Sequence, residues 1–505
     1  MRELKDSLTD DCPPRNYGIQ SICILRHRCT LLLEAGHEVT YITATSKLSP
    51  HGKMKKIDVS SNFKAFPENF LNIKSIMNKE SDMSANDFFF PIMDKLSLAT
   101  LRHEEVLKLM NDGKQHFDVI VAEWMYNELY AGIPRVFDCP LIWFSTLEPH
   151  WLALRIIDEA PNPAYNPDSM STNSIPYTFW QRVEELWLQF SRTFYREYWK
   201  YNDLNTIFKE MYAPIFEKRG RPTPLYEDVR YNGSLMIGNS YVVLGQATRL
   251  PQNYKSVGGF HINRTVSPLP ENLKNIMDNA KDGVIYFSMG SNLKSADWPQ
   301  QIKRDLLKMF GELNQTVLWK FEEALPDAPS NVHVLNWAPQ QSILAHPNCE
   351  LFITHCGLLS TTEAVHFGVP IIGLPVFADQ FVNILRAVGK GYGRKVDLTY
   401  ALVEDLKSAI HHVTSNSRYR DKAKELSHAY HDRPLPPQKE IVYWVEHVVR
   451  TNGANHLRSP ALMMPWYQKL YLDLLAVVAS IMATVTILVK FFITTNKHMD
   501  KTKTS

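Results

Sequence analysis

Residues 337–380 constrain this chain more than any other stretch. They read WAPQQSILAHPNCELFITHCGLLSTTEAVHFGVPIIGLPVFADQ, with two short apolar strands, 349–353 and 370–373, each followed by a turn and a helical pattern. Units of that kind build a parallel α/β sheet whose functional loops gather at the carboxyl ends of the strands. Trp337 offers a flat apolar face beside a proline-stiffened turn, which suits stacking on a nucleobase. Gln340 brings both a donor and an acceptor for a nucleoside. Thr354-His355-Cys356-Gly357 turns into a helix expected to begin near Ser360, whose unpaired N–H groups and dipole favour a diphosphate. His355 and Ser360 add side-chain donors, and Gly357 lets the backbone approach without a Cβ. Glu363, expected in the first turn of that helix, can accept two hydrogen bonds from a ribose diol. Asp379 and Gln380 suit the hydroxyls of a sugar.

Taken singly, each residue has a bland reading. A Trp beside a Pro is usually a core or turn residue, and an Asp-Gln pair is usually a solvated loop. What changes the odds is that six such residues occur together over two strand-to-helix units, at the spacing of the family that the segment resembles. Cys356 has no Cys-x-x-Cys or His-x-x-x-His partner spacing, so it reads as a small packing residue, and no metal site is expected. Upstream, 283–291 (GVIYFSMGS) is an apolar run ending in a small-residue turn, the opening of a Rossmann-like unit. It lacks the Gly-x-Gly-x-x-Gly fingerprint, which argues against a nicotinamide or flavin enzyme.

In its length and in the order Trp, Gln, His-Cys-Gly, Ser, Glu, Asp-Gln, the segment resembles the donor box of the UDP-glycosyltransferases. The chain as a whole is similar to membrane-anchored animal members, especially the insect ones, although Leu359 stands where plant members usually have Asn. The resemblance implies an α/β protein of GT-B fold, two Rossmann-like domains facing a cleft, plus a C-terminal transmembrane helix. It implies that Ser288, Gly290 and above all Ser291 touch the phosphates. The UDP-sugar is then a co-substrate and no cofactor is needed. The expected reaction is inverting transfer of a hexose, glucose by likeness to insect members, to hydroxyls of small lipophilic acceptors, giving β-glycosides. Partners implied are the UDP-sugar, the acceptor, a membrane, and homo- or hetero-oligomers with related transferases.

The 505 residues and net charge of +2 leave room for two α/β halves and a tail and give no sign of a nucleic-acid partner. Short buried strands are expected at 37–42, 117–122 and 140–144. The aromatic and Met-rich stretches 64–109 and 151–211 correspond to regions that wall the acceptor pocket in the family. Pro and Gly punctuation puts a linker at 251–262 between an acceptor-binding domain, 1–250, and a UDP-sugar domain, 263–452. The six Cys show no framework spacing, and the sequons at Asn232, Asn263 and Asn314 permit a lumenal location without supporting it.

A juxtamembrane stretch, 453–469, precedes an apolar span at 470–493, bounded by Asp473 and a Lys490 able to snorkel. The basic tail, 494–505, favours the cytosolic side, and Lys501 and Lys503 fit a dilysine retrieval signal of the endoplasmic reticulum. The catalytic body would then be lumenal by resemblance. Residues 1–20, however, show no apolar signal-peptide core, and 1–25 are atypical for the family. Family members carry their base on a His after the first strand. Counting back from Gly36 places it at or near Ser21, where no His stands, so His27 is the candidate. Glu123, just past the strand 117–122, matches the carboxylate that holds that His. The missing His also motivates an alternative, a catalytically silent membrane-bound relative that binds nucleotide sugar or lipophilic ligand.

Overall fold

The computed structural model describes residues 20–24, 30–44, 52–65, 73–78, 89–166, 168, 171–173, 175–263, 265–290 and 298–503. The first sheet contains β1 (Gln20–Ile24), β2 (Glu38–Thr43), β3 (Met54–Asp58), β4 (Val119–Glu123), β5 (Leu141–Ser145), β6 (Gly233–Gly238) and β7 (Tyr254–Ser256). The second contains β8 (Val284–Ser288), β9 (Thr316–Lys320), β10 (Val332–Leu335), β11 (Cys349–Thr354), β12 (Ile371–Gly373) and β13 (Gly393–Lys395). The described strands all pair in parallel. Parallel strands are covered by helices on both faces, which is why β5 (LIWFS) and β8 (VIYFS) are apolar up to their closing serine and buried at every position.

The strand orders are β3-β2-β1-β4-β5-β6-β7 and β10-β9-β8-β11-β12-β13. Each sheet grows outward from β1 or β8, then reverses at β4 or β11, and a crevice opens at the carboxyl ends where the order switches. In the first sheet the switch sets Ile24 beside Ala122, one residue before Glu123. In the second it sets Ser288 beside Thr354. This is the GT-B arrangement, two Rossmann-like halves meeting across a cleft.

The halves exchange segments. After the second sheet, the helix Pro437–Arg450 returns to the first, where Ile441, Val445 and Val448 join Tyr41, Val121 and Phe144 in one core cluster. Conversely, Ile73 and Met77 pack into the core of the second sheet with Phe287 and Trp319, and Tyr400 donates to Asn78 at 2.9 Å. The connecting chain is held by Tyr430, which donates to the Gly258 carbonyl at 3.0 Å, and by Gln438, which donates to that of Ile262 at 2.7 Å.

Three local expectations differ from the structure. Strand β7 lies inside the stretch read as a linker, because three residues between Pro251 and Gly258 are too short to show alternation. Ser21, the position counted for a base, is the second residue of β1 and lies within a strand. The long C-terminal helix, Leu472–Lys503, begins two residues past the expected start, because Tyr471 adopts a left-handed backbone (φ 55°). Its segment Leu472–Thr494 has a mean hydropathy of 2.4 and no burial, long and apolar enough to cross a membrane.

Between the halves, Glu148 in the loop after β5 faces Arg386 of the helix Gln380–Lys390 at 3.9 Å. Burial pushes the Glu148 carboxyl up to about 7 from an ordinary 4.5, opposed by Arg386 and reinforced by Asp379. The folded chain therefore holds a proton that the unfolded chain releases between pH 4.5 and 7, and stability falls as pH rises through that window. Glu148→Gln should remove that fall, on the order of 3 kcal/mol. Chemical denaturation at both pH values reads it, and the same pH slope in variant and parent would contradict the burial argument.

Candidate active site

The second sheet's switch point gathers most of the sequence-predicted donor residues. After Thr354 the chain reverses in two residues. Cys356 is buried in a left-handed conformation (φ 65°), and Gly357 is extended and caps the helix Leu358–Phe367. That helix starts two residues before the expected Ser360, so Glu363 sits in its second turn rather than its first. The amino end directs unpaired N–H groups into the crevice. Asn383 fixes the turn from outside, donating to the Cys356 carbonyl at 3.0 Å and to Asp379 at 2.9 Å.

Two glycines make room for His355. A Cβ on Gly290 would lie 2.6 Å from its Cε1 and one on Gly357 would lie 2.7 Å from its Nε2, so the ring is sandwiched between the two turns of the switch point. Burial, with a smaller contribution from the Lys320 cation, lowers the imidazole to about 4. The ring is therefore neutral at physiological pH. Lys320, at the end of β9, is itself buried and donates to the Gly290 carbonyl at 3.1 Å and to Glu322 at 2.5 Å. It places a fixed positive charge behind the phosphate-facing turn.

Glu363 forms the polar centre of the site. Gln340, first residue of the short helix Gln340–Leu344, donates to its Oε2 at 2.5 Å and to Ser360 Oγ at 3.3 Å, and accepts from the Tyr286 hydroxyl at 3.3 Å. Gln341 donates to Glu363 Oε1 at 2.9 Å. His261 Nε2 approaches that oxygen at 3.4 Å, an ion-pair distance without hydrogen-bond alignment. Burial pushes the Glu363 carboxyl up, but His261, Gln340 and Gln341 together outweigh it and hold it below its usual value. It is thus a buried carboxylate that stays charged, with lone pairs remaining for a ligand diol. Trp337, three residues before Gln340, is 74% exposed at the rim.

Asp379 caps the helix Gln380–Lys390, and burial raises its carboxyl despite Asn383 and Arg386. Gln380 differs from expectation. It is buried, and its Oε1 accepts from the N–H groups of Val376 and Phe377 at 2.8 and 3.2 Å. Its carbonyl holds the loop, leaving only its amide N–H groups for a sugar hydroxyl.

Across the cleft, Glu123 ends β4 and accepts from Thr146 at 3.2 Å. Tyr126, three residues on and also left-handed (φ 59°), lies within electrostatic reach of Asp379, as does Glu148. The loops after β4 and β5 therefore face the sugar end of the donor crevice. His27 and Ser291 lie outside the described residues. His150, in the same region, has both ring nitrogens engaged, Nδ1 accepting from Leu152 N–H at 3.0 Å and Nε2 paired with Asp168 at 3.0 Å. It supports the loop through both contacts.

Sequence reading missed His261, Gln341, Lys320 and the Glu148–Arg386 pair. Only Lys320 left a trace, a charge closing an apolar strand; the others come together through the fold alone. If the sandwiched His355 is needed for the diphosphate, Gly357→Ala should weaken UDP binding by at least about 10-fold, or about 1.4 kcal/mol. Calorimetric titration measures it, and an unchanged Kd would remove this turn from the site.

The family described as UDP-glucoronosyl and UDP-glucosyl transferase matches residues 19–504. UDP-glucosyltransferase 2 of Dactylopius coccus is 31% identical over 464 residues, covering 91% of this chain and 87% of that protein. Human UDP-glucuronosyltransferase 2B7 is 28% identical, covering 91% and 88%. Among solved structures, the calicheamicin glycosyltransferase CalG4 superposes with a TM-score of 0.55 at 15% identity, covering 86% of this chain and 99% of that one, a likeness of fold. Matched along nearly its whole length, the chain belongs to the UDP-glucoronosyl and UDP-glucosyl transferase family and is a UDP-glycosyltransferase.

Proposed function

We propose that the chain transfers glucose from UDP-glucose to hydroxyl groups of small lipophilic acceptors, with inversion to β-glucosides. The observation that supports it best is the buried, charged Glu363, clamped by two glutamine amides between the exposed Trp337 and the open amino end of the helix Leu358–Phe367. Uracil stacks on Trp337, the ribose diol meets Glu363 and Gln340, and the diphosphate lies against the helix N–H groups, Ser360 and His355. The sugar then extends towards Asp379 and Gln380. Glu148 lies near that end, within electrostatic reach of Asp379. Arg386 stands beside both carboxyls, and the choice of glucose rests on likeness to the UDP-glucosyltransferase of Dactylopius coccus.

The acceptor oxygen attacks the anomeric carbon as the bond to the UDP oxygen breaks on the opposite face. Its proton passes to the base, assigned to His27 and positioned by Glu123. The helix amino end and the Lys320 charge stabilise the departing diphosphate. The segment Leu472–Thr494 anchors the enzyme in the endoplasmic reticulum membrane, with the body lumenal and the basic tail cytosolic.

With UDP-glucose and a panel of phenols, steroids and flavonoids, mass spectrometry should detect glucosides, with kcat/KM for UDP-glucose above that for UDP-glucuronate. Glu363→Ala should lower kcat/KM about 10- to 100-fold through lost charge-assisted hydrogen bonds. Product with UDP-glucuronate alone would overturn the sugar assignment. UDP binding without product from any donor would favour the silent relative.

A further inference from the structure

The loop after β4 carries a further group that can meet the donor. Tyr126, three residues past Glu123, holds a left-handed backbone (φ 59°), a conformation that a bulky residue keeps only where its surroundings impose it and that gathers at ligand sites. Here the restraints are visible. Arg196, itself buried and paired with Glu128 at 3.0 Å, donates to the Tyr126 carbonyl at 2.8 Å. The ring is wedged edge-on against Phe90 at 5.2 Å and His150 at 5.4 Å, with Trp124 at 5.2 Å beside it. Tyr126 is only 4% exposed, and among the described residues its hydroxyl has no hydrogen-bond partner. A buried phenol normally finds one. A rigidly held phenol without one marks a place where something from outside the chain binds.

Two carboxyl groups lie within electrostatic reach of that hydroxyl, those of Asp168 and Asp379. Asp168 is already committed, to His150 at 3.0 Å, to Trp151 Nε1 at 2.9 Å and to Arg192 at 2.6 Å. Asp379 belongs to the other half. It caps the helix Gln380–Lys390, and Asn383 donates to its Oδ2 at 2.9 Å, which leaves lone pairs for a ligand. Tyr126 and Asp379 therefore lie opposite each other across the cleft, close enough to interact and not hydrogen-bonded to one another. Burial, reinforced by both carboxyl groups, pushes the phenol well above its usual range, so Tyr126 keeps its proton and remains a donor. One wall of the gap offers an acceptor and the other a donor. A sugar hydroxyl, which donates through its O–H and accepts through its lone pairs, satisfies both at once.

We propose that Tyr126 is a specificity-determining residue for the donor sugar, its phenol donating to the hexose hydroxyl that Asp379 accepts from on the opposite wall. The inference rests on the placement of the sugar against Asp379 given under the proposed function. The sugar then bridges the two halves, and a donor lacking that hydroxyl leaves both groups unpaired. The test compares the full-length parent with Tyr126→Phe, which removes only the phenolic oxygen, using a panel of phenols as acceptors. The donors are UDP-glucose and its deoxy analogues lacking the hydroxyl at C2, C3, C4 or C6 in turn. UDP alone does not reach the sugar end, so its Kd should match in the two proteins. kcat/KM for UDP-glucose should fall about 10-fold in the variant, or about 1.4 kcal/mol. On one deoxy donor the two proteins should become equal, because the bond is already missing there. A loss that persists on every deoxy donor, or no loss on UDP-glucose, overturns the inference and leaves the donor site standing. Loss of UDP binding in the variant shows that the hydroxyl holds the fold, and also overturns it. A parent that binds UDP and yields no product from any of these donors overturns the proposed transfer itself, and this inference with it.

Discussion

The reversal of strand order between β8 and β11 is the constraint from which the donor site follows. Because neighbouring strands send their chains to opposite faces there, the turns after Ser288 and Thr354 part and open a crevice between them. His355 fits between those turns only because Gly290 and Gly357 carry no Cβ. The first sheet repeats the device at β1 and β4, bringing Glu123 to the edge of its own crevice. A transfer reaction needs a donor and an acceptor held face to face, and two doubly wound sheets joined at their carboxyl ends supply that geometry.

Inside the crevice the decisive balance is electrostatic. Glu363 is deeply buried, where a lone carboxylate would take up a proton, yet two amide donors and His261 keep it ionised. At the other end burial wins, and Asp379 and Glu148 are both shifted upward. His355 is driven neutral. The site thus keeps one firm negative charge where the ribose is expected and softer carboxyls where the sugar is expected.

Much of this was legible in the residues. The apolar runs at β4, β5, β8 and β11 announced parallel strands, and the segment 337–380 announced the strand-to-helix units that bring Gln340, Ser360 and Glu363 together. What was not legible depended on long-range contacts or local backbone. His261 and Glu363 meet although 102 positions separate them, and nothing near His261 marks it. The early start of the helix after Gly357 depends on Cys356 adopting a conformation that favours glycine, which no propensity predicts. The aromatic stretch 179–199 read as acceptor wall or ordinary helix, since periodicity identifies an apolar face and says nothing about which side the body occupies.

The central claim is that uridine stacks beside Trp337 with its ribose on Glu363. Photolabelling of the full chain with 5-azido-UDP-glucose, followed by peptide mapping, tests it most directly. The account predicts a cross-link within the peptide bearing Trp337 and Gln340, abolished by excess UDP. A UDP-protected cross-link in the first sheet's half instead would contradict it.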